Sequence, residues 1–246
     1  MVAWGAFPGT SVFQQLARIL IPLALAAGLV VLNLRLFRRD GLPANALNLR
    51  PRQVGWFLVG GVIITPVILL IAAVISLGVP FHWERGGLTW TRVAWQFAEY
   101  TVGNSAEELI FRGYLLLILM RHVGLASALL AMALLFGAFH LPGLSGGTAV
   151  KMICTTAVGS YLFAYGYLIT GSLWTAIGMH VWGNLLLHQI LGLTGGASIL
   201  RVVVHGTWPE SWDPAFIAWM SVSGIAAGLG ALLFRRTRSR ALDRSV

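Results

Sequence analysis

Six apolar runs long enough to cross a bilayer dominate this chain, near residues 16–37, 54–79, 124–141, 148–170, 171–193 and 214–234. About 20 apolar residues of helix span the hydrocarbon core. No backbone polar group finds water there, so each run has to close its hydrogen bonds internally, as a helix does. A further helix lies within 91–121. The expected fold is therefore all-α: a polytopic membrane bundle of about seven transmembrane helices, within a range of six to eight. Composition agrees. Only 10% of the 246 residues are charged and 57% are hydrophobic, with mean hydropathy +0.80, whereas soluble domains carry about a quarter charged residues. That leaves no room for a separate soluble domain. Residues 1–246 read as a single integral membrane domain, with a motif-bearing core at about 90–195. The first run ends in Arg35, Arg38 and Arg39, the flank of a retained span rather than of a cleaved leader.

The net charge of +9 follows the placement of arginines between spans. Arg38, Arg39, Arg50, Arg52, Arg121 and the C-terminal run Arg235, Arg236, Arg238, Arg240 and Arg244 fall on one side of a seven-span map. Under the positive-inside rule this gives a plasma-membrane protein with the N-terminus out and the C-terminus cytoplasmic. The C-terminal run suits anionic membrane lipids as partners. Because the basic residues flank spans and form no single patch, no nucleic-acid partner is expected. Trp83, Trp90, Trp208 and Trp212 suit an interfacial belt. Gly224 and Gly228 form a small-xxx-small pair that predicts close helix packing. Lys151, near a helix start, is expected to snorkel. The lone Cys154 excludes an intrachain disulfide and a cysteine-based metal site. Within 91–121, Gly103-Asn104-Ser105 interrupts the pattern, and Ser105 stands at capping-box spacing from Glu108, which predicts a helix restarting at Ala106.

Against this background a few polar residues stand out, because a charge at bilayer depth costs roughly 2.5–3.5 kcal/mol on insertion scales. The stretch SAEELIFRGY holds Glu107, Glu108 and Arg112. Glu108 and Arg112 are spaced i,i+4 and can pair along one helix face. Glu107 then projects about 100° away. FGAFH places Phe136 four before His140, and HVWGN places His180 four before Asn184. At about 1.5 Å per helical residue, Glu107, His140, His180 and Asn184 fall within about two turns of one level on three helices. A glutamate and a histidine can hold a water, or a metal that holds the water, and take its proton. A second histidine with an asparagine can stabilise an oxyanion. Glu107, His140 and His180 would also suffice for a zinc-like site with an open position for water. Both versions stay open, with the metal-compatible one favoured. No serine or cysteine with a neighbouring base offers a covalent route.

In this order, on successive hydrophobic segments, Glu107-Glu108-x-x-x-Arg112, Phe136-x-x-x-His140 and His180-x-x-x-Asn184 resemble the three motifs of the CPBP family, the CAAX prenyl proteases and bacteriocin-processing proteins also called the Abi family. The resemblance covers about residues 90–195. It implies an intramembrane endopeptidase of the type II CAAX protease kind, acting on a membrane-associated peptide or a lipidated protein. Under it, Glu107 and His140 activate the attacking water, His180 and Asn184 stabilise the oxyanion, and Glu108 and Arg112 organise the site. Two other classes fit the residues less well. A proton-coupled carrier should show internal repeats, and the sequence has none. An inactive immunity or binding protein on the same scaffold would not need the full polar set. His188 reads as a core histidine, Glu99 as interfacial, and His82 and His205 as loop residues.

Overall fold

The computed structural model describes residues 12–43, 45–207 and 213–243. Among these, seven α-helices form: α1 (Val12–Arg39), α2 (Gly55–Gly78), α3 (Trp90–Phe111), α4 (Tyr114–Phe139), α5 (Gly146–Thr170), α6 (Leu173–Asn184) and α7 (Pro214–Asp243). A π-helix, Leu185–Ile190, extends α6. Five stretches are long and apolar enough to cross a membrane. Their outward faces carry large apolar side chains such as Ile21, Val62, Leu77 and Ile225, as expected where lipid is the solvent. The chain is an integral membrane protein of the expected helical class.

The expected break inside 91–121 lies elsewhere. α3 runs uninterrupted through Gly103-Asn104-Ser105, and Ser105 does not cap: its Oγ donates back to the Thr101 carbonyl at 2.5 Å. A serine bonded to the preceding turn leaves the helix nothing to restart from. The helix ends instead at Arg112–Gly113. Asn33 of α1 secures that joint by donating to the Leu29 and Leu109 carbonyls and accepting from the Tyr114 amide. Any side chain at position 113 would collide with Asn33.

A second departure makes α4 fold back on itself. Gly124 has φ 78° and ψ 169°, a backbone that favours glycine. Residues on its two sides meet: the Phe111 and Phe136 rings lie 5.0 Å apart, although 25 residues of straight helix would separate them by about 37 Å. The chain thus turns back at Gly124, between the helix expected within 91–121 and the apolar run near 124–141. Glu107, 17 residues before, and His140, 16 residues after, arrive at one level.

The closest helix approach joins α2 to α6. A Cβ at Gly60 would strike the Thr175 carbonyl, and one at Gly178 the Phe57 carbonyl. This corrects the expectation for Gly224 and Gly228. Both are exposed with no atom of another segment against them, and among the described residues the tightest glycine-to-backbone contacts between helices lie between α2 and α6. Lys151 also departs from expectation. Rather than snorkelling alone, it pairs with Asp213 at 2.7 Å, and Asp213 caps α7 by accepting from the Phe216 amide.

The sequence reading contained no strand, yet β1 (Phe81–Arg85) and β2 (Leu200–Val204) pair antiparallel. They tie the α2–α3 connection to the α6–α7 connection on one side of the bundle. Alternation puts His82, Glu84 and Arg201 on one face of this ribbon, with His205 just beyond, and Phe81, Trp83 and Val202 on the other. The Trp83 indole donates to the Leu191 carbonyl. His82 and His205, expected in loops, are therefore held by the ribbon. Cys154 is half-buried and free. Trp208, Trp212 and Arg244, and the side chains of Arg238 and Arg240, lie outside the described residues.

Candidate active site

Glu108 and Arg112 form the centre of the bundle. Both side chains are fully buried, and Arg112 Nη1 meets Glu108 Oε1 at 3.2 Å. One carboxylate is not enough for a guanidinium out of water, and α5 supplies the rest. Arg112 Nη2 donates to Ser160 Oγ at 2.8 Å and to the Ser160 carbonyl at 3.1 Å. Its Cζ lies 4.5 Å from the Phe136 ring centroid and 5.4 Å from that of Phe163, distances at which ring faces attract a cation.

The same carboxylate orients His180. Glu108 Oε1 lies 2.9 Å from His180 Nδ1, and Phe163 stacks on the imidazole at 4.6 Å and 20°. At the end of α4, His140 Nδ1 lies 2.7 Å from the Phe136 carbonyl. A carbonyl only accepts, so His140 carries its hydrogen on Nδ1 and presents a lone pair on Nε2. The Glu108 carboxylate likewise accepts the Nδ1 hydrogen of His180. Both Nε2 atoms then face one oxygen: Glu107 Oε2 is 3.8 Å from His140 Nε2 and 3.9 Å from His180 Nε2. That oxygen is buried and has no protein hydrogen-bond donor.

Three acceptors thus converge with no donor among them. Such an arrangement calls for a species that brings positive charge or hydrogens to its middle. A water hydrogen-bonded at about 2.8 Å bridges acceptors at this separation. A divalent metal would use the same three atoms, and their types suit zinc. Their spacing does not, because donors about 2.0–2.1 Å from a tetrahedral zinc lie roughly 3.3 Å apart. No group of three His, Cys, Asp or Glu among the described residues is arranged to hold a metal ion. As placed, Glu107 Oε2 stands wider from each imidazole Nε2 than a bound zinc would hold its donors.

Of the six expected site residues, Glu107, Glu108, Arg112, His140 and His180 are brought into one contact network. Asn184 lies one turn past His180, half-buried, where α6 passes into the π-helix, and its side chain makes no hydrogen bond among the described residues. Glu99 stands apart, accepting from the Trp95 indole. Three supporting residues were not foreseen: Asn33, Ser160 and Phe163. Asn33 had a usable signal, being the one amide within the apolar run at 16–37. Ser160 and Phe163 had none, since a serine and a phenylalanine are ordinary in a span. A cavity lined by Val30, Leu34 and Leu49 lies beside the α1–α2 connection and touches none of these groups.

Residues 89–186 match the family model described as type II CAAX prenyl endopeptidase, Rce1-like, which is a peptidase family. The matched region contains every motif residue from Glu107 to Asn184, in agreement with the resemblance read from the sequence. No curated protein and no solved structure matches the chain.

Proposed function

We propose that this protein is an intramembrane endopeptidase that hydrolyses a peptide bond in a membrane-associated peptide or a lipid-modified protein, using a water activated by Glu107 and His140. The observation that supports this reading most is the buried, donor-less Glu107 Oε2 facing two imidazole Nε2 atoms at 3.8 and 3.9 Å. A water there donates one hydrogen to Glu107 and the other to His140, and its oxygen keeps a lone pair for the substrate carbonyl carbon. As the C–O bond forms, Glu107 takes the water's proton. It returns that proton to the amide nitrogen as the C–N bond breaks, leaving a carboxylic acid and an amine. Asn184 can donate to the oxyanion as a neutral amide. His180 can donate from Nε2 only as the imidazolium, because its Nδ1 hydrogen is held by Glu108. Glu108 and Arg112 fix His180 and do not touch substrate.

The match to a prenyl endopeptidase family supports a lipidated substrate, and the surrounding lipid supports one that is membrane-anchored. We place the N-terminus outside and the C-terminus in the cytoplasm of the plasma membrane, on the arginine distribution. A cysteine placed at Ser239 should then label only in permeabilised cells. The reaction is tested by cleavage of prenylated and membrane-anchored peptides in detergent, with wild type beside Glu107→Gln, and by mass spectrometry of peptides retained by the variant. Activity is expected to persist in protein shown to be metal-free after chelation. Loss on chelation, with recovery on adding zinc, would replace the unaided Glu107–His140 pair by a metal site on Glu107, His140 and His180.

A further inference from the structure

We infer that a polar track between α3 and the α6–π-helix segment carries water from the β-ribbon side of the bundle to Glu107; this rests on the hydrolytic reading above. The track is fixed at two points. At the site, Glu108 meets His180 at 2.9 Å, and two turns back along α3 the Tyr100 hydroxyl accepts from Gln189 Nε2 at 2.9 Å. Along α3 the numbering falls from 108 to 100 while on the partner segment it rises from 180 to 189, so the two run antiparallel. Asn104 and Asn184 are therefore level, midway between the fixed points. Asn104 is 5% exposed and its Nδ2 has no protein partner. One π turn beyond Asn184, His188 is 7% exposed, bonds Thr194 Oγ1 through Nδ1, and leaves Nε2 without a protein partner. Thr194 is exposed, in the loop leading to β2.

Buried polar atoms are met by protein or by water almost without exception, and a buried water typically makes about three hydrogen bonds to such groups. Glu107 Oε2, Asn104 Nδ2 and His188 Nε2 are three orphaned atoms in sequence along one seam. Polar side chains that only hold membrane helices together hydrogen-bond across them, whereas Asn104 Nδ2 and His188 Nε2 have no protein partner. Glu107 and His140 are partly exposed, at 23% and 15% of their side chains. A bound peptide has to cover that opening to bring its carbonyl to Glu107, and the reactant water then needs a separate route.

The test is radiolytic hydroxyl-radical footprinting of the full chain in detergent, combined with peptide cleavage. His188, 7% exposed, should be oxidised in wild type, and the half-buried Tyr100 with it. Asn104→Leu, which fills the seam with a side chain of similar size, should suppress that oxidation while leaving exposed His82 unaffected. It should lower kcat about tenfold at unchanged KM, the pattern of a lost reactant rather than of lost binding, with a melting temperature unchanged or raised. Asn104→Ser should retain both labelling and kcat. Unlabelled Tyr100 and His188 in wild type, or labelling that Asn104→Leu leaves intact, would overturn the track. If leucine prevents folding, the wild-type labelling decides alone. Labelling as expected in a protein that cleaves no peptide would uphold the track and remove the protease reading.

Discussion

Two clusters in this chain use the same side-chain types. On the β-ribbon, His82 faces His205 at 2.9 Å, Glu84 lies 3.3 Å from His82, and Arg201 meets Glu84 at 2.7 Å. Inside the bundle, His180 and His140 face Glu107, and Arg112 meets Glu108 at 3.2 Å. The ribbon ion pair is the shorter, yet its side chains are 64% and 44% exposed, against 0% for both Arg112 and Glu108. Exposed pairs are worth about 0–1 kcal/mol, whereas breaking a buried one costs about 3–5 kcal/mol through the charge left uncompensated. Arg201, and after it His82, hold the Glu84 carboxyl below the usual carboxylate range; the contribution is present above the unfolded value and is lost as pH falls through the lowered one. Distance alone does not identify the site; the surroundings of the same groups do.

The strongest challenge to this contrast is Glu107→Gln. It keeps the shape and removes the only carboxylate oxygen that faces both imidazoles. Peptide cleavage should be abolished, and the thermal melt should be unchanged or shifted upward. A variant that still cleaves would return the buried cluster to a structural role like that of the ribbon. Next comes Glu108→Ala, which strands Arg112 and frees His180. It should lose about 3–5 kcal/mol of stability, read by chemical or thermal unfolding, and activity with it. Equal destabilisation by Glu107→Gln would erase the division of labour between the adjacent glutamates. A smaller effect is expected for His188→Ala, which opens space in the seam rather than closing it and should keep most activity. Smallest of all is Glu84→Gln with Arg201→Met, expected to leave both the thermal melt and cleavage essentially unchanged, because the pair is solvent-exposed. A large loss there would mean that the ribbon does more than tie two connections.

The sequence by itself determined the all-helical membrane class and the rough position of its apolar helices, because a bilayer forces about 20 apolar residues into a helix wherever they occur. It also singled out polar residues that the packed helices bring together, because ionisable groups at bilayer depth are costly enough to stand out. The Glu108–Arg112 pair was legible too, since i,i+4 spacing needs nothing beyond the helix itself. Only the tertiary structure decided where α3 ends. Asn33, 80 residues upstream of Gly113, holds that joint, while Ser105 satisfies itself within its own helix. Tertiary structure likewise chose Gly60 and Gly178 over Gly224 and Gly228 for the close helix contact, because every small-xxx-small pair looks alike until a neighbouring helix arrives. The β-ribbon was hidden because its ten residues form strands only by pairing across at least 115 residues, from Arg85 to Leu200. The direction of each imidazole was hidden for the same reason. The Phe136 carbonyl and the Glu108 carboxylate choose which nitrogen of His140 and of His180 keeps its hydrogen, and for His180 that choice is made by a helix 72 residues away. Local chemistry could be read along the chain; the partners that aim it at Glu107 exist only once the helices have packed.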